Sequence, residues 1–376
     1  MKLSKELTTL TFVLLSLFCS AQNNKQQHFE PGAIWPDNNG VHINAHGGGL
    51  LEFEGTYYWY GEHKIEGKAG NQAKVGVHVY SSTNLYSWKD EGIALRVSND
   101  PESPIVKGCI IERPKVIFNK KTGKFVMWFH HELKGMGYLA AKTGLAVADS
   151  PIGPFTYQHS VNPNAGQWPM NFTAEQKQMR FPEDLKSWSE EWLAAVADGL
   201  FVHRDLEKGQ MARDMTLFVD DDGKAYHIHA SEENLTLHIA ELNEEYTDFT
   251  GHYVAVLPAG HNEAPAIFKK DGKYYLIASG CTGWAPNAAR SFVADSIWGP
   301  WKSLGNPCRG TSVQQQTTFD SQSTFIFENP HNSGEFIFMA DRWSPENAID
   351  GRYIWLPIMF ENDKPVIHWQ GKWKLK

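Results

Sequence analysis

Residues 263–280 read EAPAIFKKDGKYYLIASG: a carboxylate, an apolar strand, an Asp-Gly pair and a second strand rich in aromatic and branched residues. Asp-Gly between two apolar runs is a strong hairpin signal, because glycine reaches positive φ with no Cβ to clash. The same order recurs four more times. It reads INAHGGGLLEFEGTYYWYG at 43–61, ERPKVIFNKKTGKFVMWFH at 112–130, RDMTLFVDDDGKAYHIHAS at 213–231 and SQSTFIFENPHNSGEFIFMAD at 321–341. Each unit starts on a polar residue and turns at a glycine: Gly55, Gly123, Gly223, Gly272 or Gly334.

Three units are followed by a further shared phrase, YSSTNLYSWKDEG, VADSPIGPFTY or VADSIWGPWKS, and the third unit by the looser HIAELNEEYTDFTG. Each reads as a third strand, a turn and a fourth strand. Four strands per unit, with turn glycines 49 to 100 residues apart, predict an all-β, five-bladed β-propeller. Two stacked sandwiches would not need one order of elements five times. Residues 158–210 interrupt the repeat; DLKSWSEEWLAAVADGLF has helical periodicity and a Ser/Asp start, so a partly helical insertion is expected between the second and third blades. Such an insertion maps to a rim loop, where it is expected to wall one side of a cavity.

The chain has 376 residues, 41% of them hydrophobic, ample for a folded core. Residues 1–21 carry Lys2 and Lys5, the run LTFVLLSLF and CSA before Gln22, the layout of a secretory signal peptide. Export to the periplasm or medium is expected, followed by an N-terminal segment 22–39 and the propeller over 40–376. Cys19 is where a lipid anchor would attach, but Phe18 before it is bulkier than lipoprotein processing accepts. No later segment is apolar for long enough to span a membrane. The net charge of −8 becomes −9 once residues 1–21 are removed, and no basic patch is present, which argues against nucleic acid or anionic membrane as partner. Cys109, Cys281 and Cys308 remain, too few and too scattered for a disulfide framework or a metal site. The 14 tryptophans suit stacking on flat ligand faces, with core packing the default for any single ring.

In a propeller the innermost strand of each blade lines a central channel, so the polar starts converge. They lie nine residues before the turn glycine for His46, Asp214 and Glu263, eleven for Glu112 and twelve for Gln322. The expected ring holds Asn44 and His46, Glu112 and Arg113, Arg213 and Asp214, Glu263, and Gln322. Three carboxylates, two arginines and amides in an exported, Trp-rich domain point to sugar chemistry, since glycosidic cleavage needs a protonated carboxyl at the leaving oxygen and a second group for water. Crowding raises the pKa of one carboxyl and keeps it protonated. Glu263, immediately before an apolar strand, is the expected acid; the bland reading pairs it with Arg113 or Arg213. Trp284, Trp343 and Arg342 are expected to contact sugar, while Trp59 and Trp128, in second strands, are assigned to packing. His130, His131, His227 and His229 form no closed ligand set, and no metal site is assigned.

RDMTLFVDDDGKAYHI followed by EAPAIFKKDGKYYL resembles the third and fourth blades of glycoside hydrolase family 43, five-bladed inverting glycosidases that trim plant polysaccharides, and the resemblance runs over residues 40–376. It implies Glu263 as general acid and Asp214 as the carboxylate that tunes and orients it. Most members open the first blade with an aspartate base, where this chain has Asn44 and His46. That departure, with ERPKV, SGCTGWAPN, SQSTF and FMADRW, is similar to the branch of exo-galactanases and related arabinofuranosidases or galactofuranosidases. The resemblance implies that His46 and Asn44 bind hydroxyls and that a Ca²⁺ ion or water is permitted in the channel. Water activation then falls to Glu112, an ionisable group on the same ring that Arg113 can hold as carboxylate, or to the Gln322 amide, with a grip on a sugar hydroxyl as the alternative role of Glu112. The expectation is therefore an exo-acting glycosidase that removes terminal galactosyl or arabinofuranosyl residues from an arabinogalactan-type polysaccharide, requiring no cofactor. The rival is a silent sugar-binding propeller. No oligomeric state is indicated.

Overall fold

The computed structural model describes residues 27–376 apart from 69 and 183; the expected signal peptide lies outside the described residues. The turn glycines organise the chain as expected, with φ between 69° and 82° at Gly55, Gly123, Gly223, Gly272 and Gly334. Blade 1 comprises β1 (His46–Phe53), β2 (Thr56–Glu62), β3 (Gly76–Ser82) and β4 (Lys89–Arg96). Blade 2 comprises β5 (Ile110–Asn119), β6 (Lys124–Glu132), β7 (Lys142–Ala148) and β8 (Thr156–Val161). After three short helices, α1 (Ala174–Gln178), α2 (Glu190–Ala197) and α3 (Leu200–Asp205), blade 3 follows as β9 (Met215–Val219), β10 (Ala225–Ser231), β11 (Thr236–Leu242) and β12 (Phe249–Val256). Blade 4 holds β13 (Glu263–Lys270), β14 (Lys273–Ser279), β15 (Arg290–Ala294) and β16 (Lys302–Gly305). Blade 5 holds β17 (Cys308–Arg309), then α4 (Ser312–Gln316), β18 (Gln322–Glu328), β19 (Phe336–Arg342), β20 (Arg352–Glu361) and β21 (Lys364–His368).

Neighbouring strands within a blade are antiparallel, except that β17 adds a parallel edge beside β21. The innermost strands adjoin one another in the order β1, β5, β9, β13, β18 and back to β1, which closes the wheel. Outside the ring, Phe29 and Trp373 exchange two backbone hydrogen bonds of 2.7 and 3.1 Å and tie the two ends of the described chain together. Part of the aromatic surplus packs here. Trp35, Trp59, Trp88 and Trp355 are buried and meet edge-on or tilted between the first and fifth blades, with centroids 4.8 to 6.2 Å apart. Trp128 is likewise buried, between blades 2 and 3.

The insertion forms helices as its pattern predicts: Ser189 accepts from the Trp192 backbone N–H, and Gly199 at φ 79° breaks α2 from α3. Its placement differs from expectation. Trp192, Val196 and Phe201 pack against Leu235 in the turn between β10 and β11, and Met170 and Asn171 bond the outer strand β12, so the segment braces blade 3. Among the described residues it contributes nothing to the cavity at the hub. Its apolar stripe finds its partner on the third blade's flank. Cys109 and Cys308 are buried, Cys281 is partly so, and all three are free thiols.

Candidate active site

Four innermost strands carry a register shift just inside their polar start, at His46/Gly49, Glu112/Lys115, Glu263/Ala266 and Ser323/Phe325. A bulge of this kind leaves one residue unpaired and re-aims its neighbour. The unpaired position is left-handed in three blades: Gly47 at φ 60°, Arg113 at 55° and Ala264 at 50°. Proline follows two of them, Pro114 and Pro265, where the ladder is broken and no N–H is required. Strained non-glycine backbone persists only where its surroundings over-determine it. Here Lys115, fully buried, donates to the carbonyls of both Gly47 (2.9 Å) and Arg113 (3.3 Å), fastening two bulges to the hub.

The bulges turn Glu112, Arg113, Glu263 and Gln322 into one cavity of about 320 Å³, joined by Asp214, Arg213, Trp284 and Trp343. Glu263 receives 2.6 Å from Asn234 Nδ2 at one carboxyl oxygen and lies 3.4 Å from Gln322 Nε2 at the other. Asp214 stands beside it, paired with Arg113 at 2.9 Å and accepting 3.1 Å from the backbone N–H of Ala264. Burial raises the Glu263 carboxyl and the Asp214 charge adds to this; Arg113 and Asn234 oppose them, leaving it at about 7 rather than the usual 4.5. Glu112 goes the other way. Burial alone would raise it, but His130 at 2.7 Å, the charge of Lys64 and the Tyr138 hydroxyl at 2.8 Å hold it below the usual carboxylate range. His130 is itself gripped between Glu112 and Glu132 (3.0 Å), which outweighs its burial and raises it to about 9.

Glu112, His130 and Asp214 bring one ligand atom each within 4.8 Å of one another, the spacing of a metal site. In this structure the three are paired otherwise: His130 lies between Glu112 and Glu132, and Asp214 pairs with Arg113. Gln322 is engaged on every side. Its oxygen accepts from Arg113 (2.6 Å) and from the Trp343 indole (3.0 Å), and its nitrogen donates to Ser279 (2.9 Å). The Arg113 guanidinium lies over Trp343 at 5.2 Å, and Trp284, 41% exposed, stands edge-on to that ring at 5.9 Å.

Three residues expected at the cavity lie elsewhere. Asn44 is buried and brackets the backbone of Lys64 with two 2.8 Å hydrogen bonds, so it shapes the loop after β2. His46 is fully buried, its ring stacked on Tyr353 at 5.4 Å and 3.8 Å from Asp341, and it does not line the cavity. Arg342 turns outward, donates to the Phe319 carbonyl at 2.8 Å and packs on Gly32.

Glu62, Asn71, Tyr138, His130 and Asn234 line the cavity without having been read as site residues. Glu62 ends a second strand, pairs with Lys64 at 2.6 Å and accepts the Arg113 backbone N–H at 3.0 Å. Asn71 and Tyr138 come from loops and bond each other at 2.6 Å. Asn234 sits in a turn whose residues Glu232, Glu233 and Asn234 all have positive φ. The one signal available was the strand-end polarity of GEHK and HHE, which ends β2 and β6 on charged groups at the hub face.

A model described as glycosyl hydrolases family 43 matches residues 192–340. The chain is 53% identical to a family-43 β-1,3-galactosidase solved with galactodeoxynojirimycin, over 92% of its own length and 100% of the other, with a TM-score of 0.88. It is 31% identical to an exo-β-1,3-galactanase of Phanerochaete chrysosporium solved with β-1,3-galactotriose, over 93% and 69% of the two chains, TM-score 0.75. A β-D-galactofuranosidase of Aspergillus niger is 29% identical over 163 residues, 41% of this chain and 44% of that protein, so the match spans less than half of that curated relative.

Proposed function

The chain belongs to glycosyl hydrolase family 43 and has its five-bladed fold, and from that premise we propose that it is an exported, exo-acting, inverting β-1,3-galactosidase. Its substrate is the galactan backbone of arabinogalactan-type polysaccharide, from which it removes one terminal galactosyl residue at a time. The observation that carries the reading is that two carboxyls in one small cavity are shifted in opposite directions, Glu263 up by burial and by Asp214, Glu112 down by His130, Lys64 and Tyr138. Relatives named for β-1,3-galactosidase and exo-β-1,3-galactanase activity support the choice of sugar and linkage.

In this reading the terminal sugar fills the cavity, against Trp343 and Trp284. Asn234 occupies one oxygen of Glu263, so the other carries the proton and delivers it to the glycosidic oxygen as the C1–O bond breaks. Asp214, fixed by Arg113 and by the N–H next to the acid, keeps the acid's pKa high and its rotamer set. Water attacks C1 from the opposite face and its proton passes to Glu112. Inversion requires roughly 6.5–9.5 Å between acid and base for that water. Gln322, 3.4 Å from Glu263, stands too near for the role, and its oxygen, receiving two N–H groups, has no acceptor for the proton an imidic tautomer would carry. Gln322 therefore positions the sugar and the acid. No step requires a metal.

The test is turnover of aryl β-D-galactopyranoside, aryl α-L-arabinofuranoside and β-1,3-galactan. Wild type is expected to act on the first and third, with Glu263→Gln slowed about a thousandfold while galactose binding persists. Glu112→Gln is expected to fall comparably. Full turnover by Glu112→Gln together with loss in Gln322→Ala would transfer water activation to Gln322, and absence of turnover in wild type would make the protein a sugar-binding propeller.

A further inference from the structure

Strand β10 hands over to β11 through residues 232–235, and three of these in succession, Glu232, Glu233 and Asn234, are left-handed at φ 53°, 55° and 68°. None is glycine. Residues with a Cβ enter that region singly and at a cost, so three in a row stay there only where other parts of the molecule hold them. What holds this turn bears on the chemistry, because Asn234 donates to Glu263 at 2.6 Å.

Some of the restraints are local. The Leu235 N–H closes the turn on the carbonyls of Ser231 (3.0 Å) and Glu232 (3.1 Å), and the buried Glu232 carboxylate accepts the Thr236 hydroxyl. The Cys281 thiol donates to the Asn234 carbonyl at 3.5 Å, and the His261 N–H to that of Leu235 at 3.3 Å. The others come from the helical insertion. Arg204 of α3 donates through Nη1 to Glu233 at 2.9 Å, while its Nε and Nη2 fork onto Asp205 at 2.8 and 2.6 Å and its guanidinium lies over the Phe201 ring at 4.4 Å. Leu235 is fully buried in a pocket made by Trp192, Val196 and Phe201. The two residues that flank Asn234 in the chain are thus both anchored in the insertion.

We infer that Arg204 and Leu235 are positioning residues of the reaction: the insertion grips the turn on either side of Asn234 and so holds that amide on the general acid. The inference rests on Glu263 being the acid. It lets the insertion act on catalysis without touching the cavity, and by a defined route. Burial, Asp214, Arg113, Asn234 and Cys281 shift Glu263 most, with Gln322 at 3.4 Å, whereas the charges facing Glu233 are Arg204, Arg213 and Asp205. Since neither Arg204 nor Glu233 is in the first group, a change at the grip reaches the acid through Asn234.

The experiment records kcat/KM against pH for an aryl β-galactoside in wild type, Arg204→Met, Leu235→Ala, Asn234→Ala and the double variant Arg204→Met/Asn234→Ala. Methionine keeps an unbranched side chain beside Phe201 and removes the fork, whereas alanine empties a neutral pocket, so the two variants loosen the grip with different changes of charge. Losing a hydrogen bond to the carboxylate raises the acid's pKa. The alkaline limb is therefore expected to move up by about half a pH unit in both, as in Asn234→Ala, and Arg204→Met is expected to add nothing once Asn234 is gone. Arg204 is partly exposed, so its variant carries the test where an emptied Leu235 pocket prevents folding. An unmoved limb in folded Arg204→Met, beside a displaced one in Asn234→Ala, reduces the grip to a structural brace and overturns the inference with the catalytic reading intact. A limb that Asn234→Ala also leaves in place overturns the inference outright, and absence of turnover in wild type overturns the catalytic reading on which it rests.

Discussion

Glu263 is tuned by two neighbours that push in opposite directions, and they can be separated by pH. The acid must be protonated to act, so kcat/KM is expected to decline as pH rises through about 7. Asp214→Asn removes a charge that raises Glu263 and frees Arg113 to lower it, so the alkaline limb is expected at lower pH than in wild type. Asn234→Ala removes a hydrogen bond that favours the ionised form, so its limb is expected at higher pH. Identical profiles for all three proteins would show that Glu263 is not the titrating group. Glu263 and Asp214 were legible in sequence because each directly precedes an apolar strand at a fixed distance from its turn. Asn234 was not, because its side chain reaches the acid from a left-handed turn that carries no glycine and no period.

At the scale of the element, the hairpins were readable and the bulges were not. The triple glycine of HGGG now has three separate reasons. Gly47 is left-handed at φ 60°, a Cβ on Gly48 would stand 1.7 Å from the Tyr60 carbonyl oxygen, and one on Gly49 would stand 2.6 Å from the Lys115 side chain. Gly48→Ala must therefore part β1 from β2 and is expected to cost about 3 kcal/mol, measured by denaturant unfolding. A stability equal to wild type would mean that the two strands do not approach this closely. The bulge alone does not place His46, since Glu112 and Glu263 precede theirs by the same offset and reach the cavity; the ring is held instead against Tyr353, near Asp341. Alternation along a strand predicts side-chain direction only while the ladder is regular, and one extra residue reverses it.

Across the whole molecule, the wheel closes by side-chain packing as much as by hydrogen bonds. Phe29 touches Trp35, Tyr86, Trp355 and Trp373, with centroids 4.6 to 5.7 Å apart, where the first blade meets the last. Phe29→Ala is expected to cost about 3–5 kcal/mol in thermal or denaturant unfolding while KM for the aryl galactoside stays at the wild-type value. A changed KM with unaltered stability would mean that this cluster shapes the cavity instead of the closure.

By itself the sequence determined the hairpins, their number and order, and hence the propeller and the convergence of Glu112, Asp214, Glu263 and Gln322, because turn chemistry and strand period are local properties that a chain carries wherever it is read. Only the tertiary structure decided which further groups complete the site. Glu62, Asn71, Tyr138 and Asn234 arrive from strand ends and loops, Asn44, His46 and Arg342 leave for the frame, and His130 gains its charge from carboxylates at either side. Those outcomes depend on the field and the space made jointly by several blades, and no single stretch of chain contains them.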